Sequence, residues 1–172
     1  MVDYVVELVL AASDKAYTTT MVKPHKKKAP LLLKKRSRTH SQRWSSVLST
    51  TPSPFFSVRV LAHHHVDIGF TTRAKFEPNK GHELHPGFFF GCERGYSYSE
   101  HEKKPFPKQR GKLVVTASFN HAAREISFEV NGQMLISPFC LVPTDAPLYP
   151  IVRLGEREAS VEMTGGHWCE DV

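Results

Sequence analysis

Histidine is the residue type with the most chemistry to offer in this sequence: it holds ten of the 172 positions, three of them consecutive at His63, His64 and His65. Imidazole is the commonest transition-metal ligand, so the run invites a metal hypothesis. Three adjacent residues on an extended loop cannot all aim at one ion, and no cysteine lies near them in sequence. The run therefore reads as a surface loop that could touch a partner. A second cluster, His82-Glu83-Leu84-His85, lacks the helical i, i+4 spacing of an H-E-x-x-H zinc site. Cys92, Cys140 and Cys169 are widely spaced, odd in number and never paired as C-x-x-C, against both a disulfide framework and a cysteine-built zinc centre. Any of them could be matched with one of ten histidines as nucleophile and base, and so free a pairing carries almost no information. Cys140 sits among apolar residues and reads as core, whereas Cys92 in a turn and Cys169 in His167-Trp168-Cys169 could expose a thiol. No glycine-rich phosphate loop, G-x-S-x-G elbow or paired-carboxylate motif is present. The expectation is a protein that is not an enzyme and uses no metal or cofactor.

Aromatic and basic residues carry more weight. Tyr96, Tyr98 and Phe106 bracket a proline-containing loop with Lys103 and Lys104. Aromatic side chains supply much of the anchoring energy at protein interfaces. Together with His63, His64 and His65 these are the candidate protein-binding residues. The competing reading is that Tyr96 and Tyr98 share one strand face and fill the core. The Phe88-Phe89-Phe90 triplet must place one ring on the opposite sheet face from the others, a hint that the second face is also covered.

The formal net charge of +6 is not spread evenly. Residues 1–43 hold ten Lys/Arg against three Asp/Glu, and residues 44–172 hold thirteen against fourteen. Nine of the bases fall between Lys23 and Arg43, where there is no acid. Lys26, Lys27, Lys28, Lys34, Lys35, Arg36 and Arg38 match the composition of a nuclear import signal or a phosphate-binding arm. No aromatics are interleaved for base stacking, so sequence-selective single-strand binding is not indicated. Import signal, RNA contact and solvated loop all stay open for residues 23–43.

The elements that must position these residues are short. Tyr4 to Leu10 suits a strand or a short helix, within an N-terminal piece spanning 1–22. Two prolines and dense like charge make 23–43 an exposed basic arm or loop, although Leu31 to Leu33 could dock as a short edge strand. From Trp44 onward the texture becomes β segments punctuated by turns. Phe55 to Leu61 alternates, with Phe56, Val58 and Val60 on one side and Phe55, Ser57, Arg59 and Leu61 on the other. Val66–Thr71, Gly87–Gly91, Gly95–Ser99, Lys112–Phe119, Glu125–Val130, Gln133–Ile136, Leu148–Leu154 and Ala159–Met163 follow as strands. Lys103 to Lys108, with two prolines, is expected to be a loop, and Asn131-Gly132 a tight turn. Residues 165–172 form a tail. So many strands at this spacing, with almost no helical periodicity, predict an all-β antiparallel sandwich.

This order of pieces resembles the SPRY domain over about residues 44–164. Val66-Asp-Ile-Gly-Phe70 is similar to its "i-G-f/v" strand, Gly91 with Gly95-Tyr-Ser-Tyr98 to the segment before its variable loop, and Gly111-Lys-Leu-Val-Val115 stands where it has "gD-v-I-G". Ile126-Ser-Phe-Glu-Val-Asn-Gly132 resembles its "i-s-F-x-x-N-G" hairpin. Pro147-Leu-Tyr-Pro-Ile-Val-Arg-Leu154 is close to "p-l-y-P-a-v-x-L". Lys112, Val115-Thr116 and the stretch ahead of Phe55 depart from the family pattern. The resemblance implies a bent, concanavalin-like jelly-roll sandwich of two sheets whose rim loops bind proteins or peptides, here loops 62–65, 72–86, 99–110 and 138–147. Two functions follow as expectations: an adaptor that binds a partner through these loops, or a ribonucleoprotein subunit whose arm contacts RNA phosphates. Apolar runs such as Leu8 to Ala12 are far below the roughly 20 residues of a membrane helix. The acids at Asp3 and Glu7 oppose a signal or transit peptide. No membrane partner, a nuclear or cytoplasmic location and membership of a larger complex are expected.

Overall fold

A computed structural model describes residues 31–34, 44–62, 65–77, 85–109, 111–155 and 159–166. Twelve strands build two antiparallel sheets: β1 (Leu31–Lys34), β2 (Ser45–Leu48), β3 (Phe55–Ala62), β4 (Val66–Thr72), β5 (Phe88–Gly91), β6 (Tyr96–Tyr98), β7 (Lys103–Pro105), β8 (Leu113–Asn120), β9 (Glu125–Val130), β10 (Gln133–Met134), β11 (Leu148–Leu154) and β12 (Ser160–Gly166). The first sheet runs β1-β12-β3-β8-β9-β10 and the second β2-β11-β4-β5-β6-β7. The alternation read in β3 sets its orientation: Phe56, Val58 and Val60 are buried, while Phe55, Arg59 and Leu61 are exposed. They meet Val115 and Ala117 of β8 and Ile126, Phe128 and Val130 of β9 on the inner face of the first sheet. Val66, Ile68 and Phe70 of β4, Phe90 of β5 and Val152 and Leu154 of β11 close over them from the second. Burying a side chain of this size contributes about 1.5–3 kcal/mol, so this layer holds the two sheets together.

Sequence and structure differ at Lys103–Pro105 and after the Asn131-Gly132 turn, while Leu31–Lys34 takes the edge-strand option left open for Leu31 to Leu33. Lys103–Pro105 is a strand, pairing with β6 through Tyr96 opposite Pro105 and Tyr98 opposite Lys103. A proline lacks the N–H of a central strand, but β7 is an edge strand, where only one side of the ladder is used. Leu31–Lys34 adds to the free side of β12, with Leu33 opposite Val161 and buried, so the first sheet begins ahead of Trp44. Strand pairing after the Asn131-Gly132 turn reaches only Met134. The turn itself forms with φ of 50° and 78°, values that Asn and Gly tolerate best.

The second sheet also buries its outer face. Phe89 points away from the sandwich core into a smaller cluster with Leu48, Tyr98 and Ile151, bordered by Phe76, Tyr96 and Tyr149. The odd ring of the phenylalanine triplet is thus covered from within the chain, His85 lying edge-on to it at 5.6 Å.

Candidate functional site

Strand register sorts the predicted binding loops between two opposite ends of the sandwich. Thr72 pairs with Leu148 and Phe70 with Phe88, so the segments leaving β4, entering β5 and entering β11 meet at one end. Tyr98 pairs with Phe89, which brings the turn at 99–102 to the same end. Residues 72–77 and 85–86, the start of 99–110 and 138–147 therefore converge. At the other end, Val66 opposite Leu154 places His65, and Pro105 opposite Tyr96 carries residues 106–109 there too.

Between the converging loops lies a cleft of about 350 Å³, lined by Ala74, Gly87, Phe88, Pro143, Ala146 and Leu148 with Thr71, Thr72, Lys75, Ser99, Glu100, His101 and Asp145 among them. That size falls within the usual range for ligand sites, and most of the lining is carbon. Each wall is held by local hydrogen bonds. Thr71 Oγ1 donates to the Pro86 carbonyl at 2.6 Å, and Thr72 Oγ1 caps the short turn Arg73–Lys75 by accepting from Lys75 N. The 99–102 turn closes through Ser99 N to Glu102 O at 2.9 Å, and Ser99 Oγ accepts from the amides of His101 and Glu102. Lys75 Nζ reaches Glu100 at 2.8 Å and ties these two segments together. Opposite them, Phe139 bridges to Ile126 through two backbone hydrogen bonds, and Arg124 Nε donates to the Val142 carbonyl at 3.0 Å. Leu141 between them has φ of 58° and stands 78% exposed, an apolar side chain presented to solvent by a backbone its neighbours hold in place.

The candidate binding residues named from sequence do not form one surface. Tyr98 and Phe106 are buried, a correction to their place among the interface residues. Tyr98 stacks on Phe89 at 5.2 Å and Phe106 on Phe90 at 4.4 Å, so both rings pack within the fold. Tyr96 is half-buried, with the exposed Lys103 placing Nζ 3.6 Å from its ring centroid. Lys104 turns toward the sandwich, donating to the Pro138 carbonyl at 2.7 Å and lying 4.8 Å from the Phe139 ring centroid. It clasps the edge of the second sheet to the loop leaving the first. His65 is half-buried at the end away from the cleft, stacked on Trp44 at 6.2 Å. His63, His64, Lys26, Lys27, Lys28, Lys35, Arg36 and Arg38 lie outside the described residues, and Lys34 closes β1. Among the described residues no group of three His, Cys, Asp or Glu is placed to hold a metal ion. His82 and Glu83 lie outside them; His85 is buried, with Nε2 accepting from Glu77 N at 3.1 Å and Nδ1 3.0 Å from the Pro86 carbonyl. The cysteines exchange their expected places. Cys92 is buried, and Cys140 is exposed because the loop after Phe139 turns its side chain outward.

Sequence reasoning missed a buried polar network on the outer face of the second sheet. Asp67 and Arg153 are register partners on β4 and β11, both fully buried. Arg153 Nη1 lies 3.5 Å from Asp67 Oδ2 and donates to Tyr98 Oη at 2.9 Å; Tyr98 Oη donates to Asp67 Oδ2 at 2.7 Å. The guanidinium lies between the rings of Trp44 and Phe89, 4.9 and 5.3 Å from their centroids. Burial, then the Asp67 carboxylate, holds the Tyr98 phenol protonated well above the ordinary tyrosine range. Burial first and Asp67 second push the Cys92 thiol up as well, which makes it a poor nucleophile. The available signal was one acid in Val66-Asp-Ile-Gly-Phe70 and one base in Pro150-Ile-Val-Arg-Leu154, each inside an apolar strand.

The SPRY domain profile matches residues 54–167, well over half of the chain, and the chain belongs to the SPRY domain family. Solved structures agree on the fold. A human SPRY domain superimposes with a TM-score of 0.64 at 12% identity, covering 82% of this chain and 93% of that one. The SPRY domain of human HERC1 gives 0.59 at 17% identity over 77% of this chain and 86% of its own, and the TRIM65 PSpry domain 0.55 at 13% over 70% and 69%. No curated protein sequence matches the chain. SPRY domains are in general protein-interaction modules and typically not catalysts, which places the chain in that broad class. No helix among the described residues is long and apolar enough to cross a membrane.

Proposed function

We propose that this protein is a non-enzymatic adaptor that captures a short segment of a partner protein in the cleft between loops 72–75, 99–101 and 143–146. The supporting observation is the cleft itself: a mostly apolar slot two of whose walls are tied within the fold, Thr71 to the Pro86 carbonyl and Lys75 to Glu100. A preformed site spares the ordering cost that a flexible loop would pay on binding. Tyr96 and Lys103 border the same sheet and could extend the contact, whereas Tyr98 and Phe106 serve the fold. The test is selection from a random peptide library on the wild-type chain and on Ala146→Trp, which fills the slot. Peptides retained by the wild type and lost at least tenfold by Ala146→Trp, with an unchanged melting temperature, are the expected result. Equal retention by both proteins would overturn the assignment of the cleft.

A further inference from the structure

The charged groups around the cleft point to the chemistry of the segment it takes, an inference that rests on the peptide-capture reading above. We propose that the slot selects an apolar side chain with a lysine or arginine beside it in the partner's sequence. The lining hydroxyls are partly used within the fold: Thr71 donates its proton to the Pro86 carbonyl, while Thr72 accepts from the Lys75 amide and Ser99 from the amides of His101 and Glu102, each keeping one O–H to donate. They leave the floor, formed by Phe88, Leu148, Ala74 and Ala146, to recognise carbon. Of the ionised groups, Lys75 and Glu100 neutralise each other at 2.8 Å on one wall. Asp145 stands exposed on the other wall and pairs with no base among the described residues. Among the described residues the cleft therefore offers an apolar floor and one uncompensated negative charge at its rim. A cationic neighbour of the anchoring residue gains a charge-assisted contact there. An acidic or phosphorylated neighbour meets Asp145 and finds Lys75 already occupied. Rim charges of this kind act mainly on specificity, and like-charge juxtaposition rejects the wrong partner.

The experiment compares peptide selections on the wild-type chain, Asp145→Asn, Asp145→Lys and Ala146→Trp, followed by titration of one selected peptide and its Lys→Glu version. Enrichment of Lys or Arg next to an apolar residue is expected on the wild type. Asp145→Asn should weaken the lysine peptide roughly two- to fivefold, the size of an exposed ion pair. Asp145→Lys should reverse the preference toward the glutamate peptide. If selected peptides show no basic bias, or keep the same bias on Asp145→Lys while Ala146→Trp still abolishes binding, this inference fails and peptide capture stands. If Ala146→Trp binds as the wild type does, the peptide-capture reading fails and this inference fails with it.

Discussion

Arg153 and Asp67 share a register position with both side chains fully buried, and that single fact governs how the residues near them behave. Removing one member of a buried pair leaves the other charge uncompensated, at a cost of about 3–5 kcal/mol. Asp67→Ala should lower the unfolding free energy read from urea denaturation by that amount, whereas Arg153 and Asp67 replaced together by Met and Leu should recover much of it. Tyr98 adds a dependence on pH. Its folded-state pKa lies above its unfolded value, so its contribution is fully present below about pH 10 and is lost as pH rises beyond that, by up to about 1.4 kcal/mol per unit. Tyr98→Phe should cost about 1–2 kcal/mol at neutral pH for the lost hydrogen bonds and flatten that alkaline decline. An unchanged slope between pH 10 and 11, measured by urea unfolding, would remove Tyr98 as its source. The cysteines separate by the same logic. In a Cys169→Ser background a thiol reagent should label Cys140 rapidly in the native protein and Cys92 only after unfolding.

At the scale of elements, the loop from Leu135 to Pro147 owes its position to contacts made by other segments. Lys104 of β7, Ile126 of β9 and Arg124 in the turn before β9 each hold part of it. Lys104→Met keeps the aliphatic stem over Phe139 and removes the donor. Amide exchange at residues 137–142 should then rise severalfold with a stability loss of about 1 kcal/mol; unchanged exchange would assign the clasp to Ile126 and Arg124. Such tertiary support explains what the sequence revealed and what it hid. Alternation in Phe55 to Leu61, the Asn131-Gly132 turn and the SPRY-like Leu148 to Leu154 run are local signals, and each describes the element found there. Pro105 hid β7, because whether a proline fits a strand depends on which side of the strand is unpaired, and that is set by the sheet. The binding residues were hidden for a similar reason. Tyr96, Tyr98, Lys103 and Lys104 are neighbours in sequence, but their strands turn alternate side chains to opposite faces. Ala74, Ala146 and Asp145 carry no chemical signature until register brings their loops together.

For the whole molecule, the sandwich keeps its two ends electrically apart. β11 runs seven residues from Leu148 at the cleft to Leu154 at the far end. At about 3.3 Å per residue that is roughly 20 Å, about twice the Debye length at physiological salt. Lys34 pairs with Ser160, and Trp44 precedes Ser45 opposite Leu154, so the described chain leaves the first sheet and enters the second at the far end. Arg94, Lys108 and Lys112 stand at that end as well. Charge there is screened from Asp145. Replacing Lys35, Arg36 and Arg38, which follow Lys34 at the far end of β1, by Gln in the full chain should therefore change the affinity of a cleft-binding peptide less than twofold at 150 mM salt. The same replacement should weaken any attachment to RNA phosphates and lower its salt dependence, which would be steep on the unaltered protein. Fluorescence titrations with a labelled peptide and with a labelled single-stranded RNA separate these outcomes. Peptide binding that weakened in step with the lost bases would mean that the basic segment and the cleft engage one partner together, and the division of labour between the two ends would have to be given up.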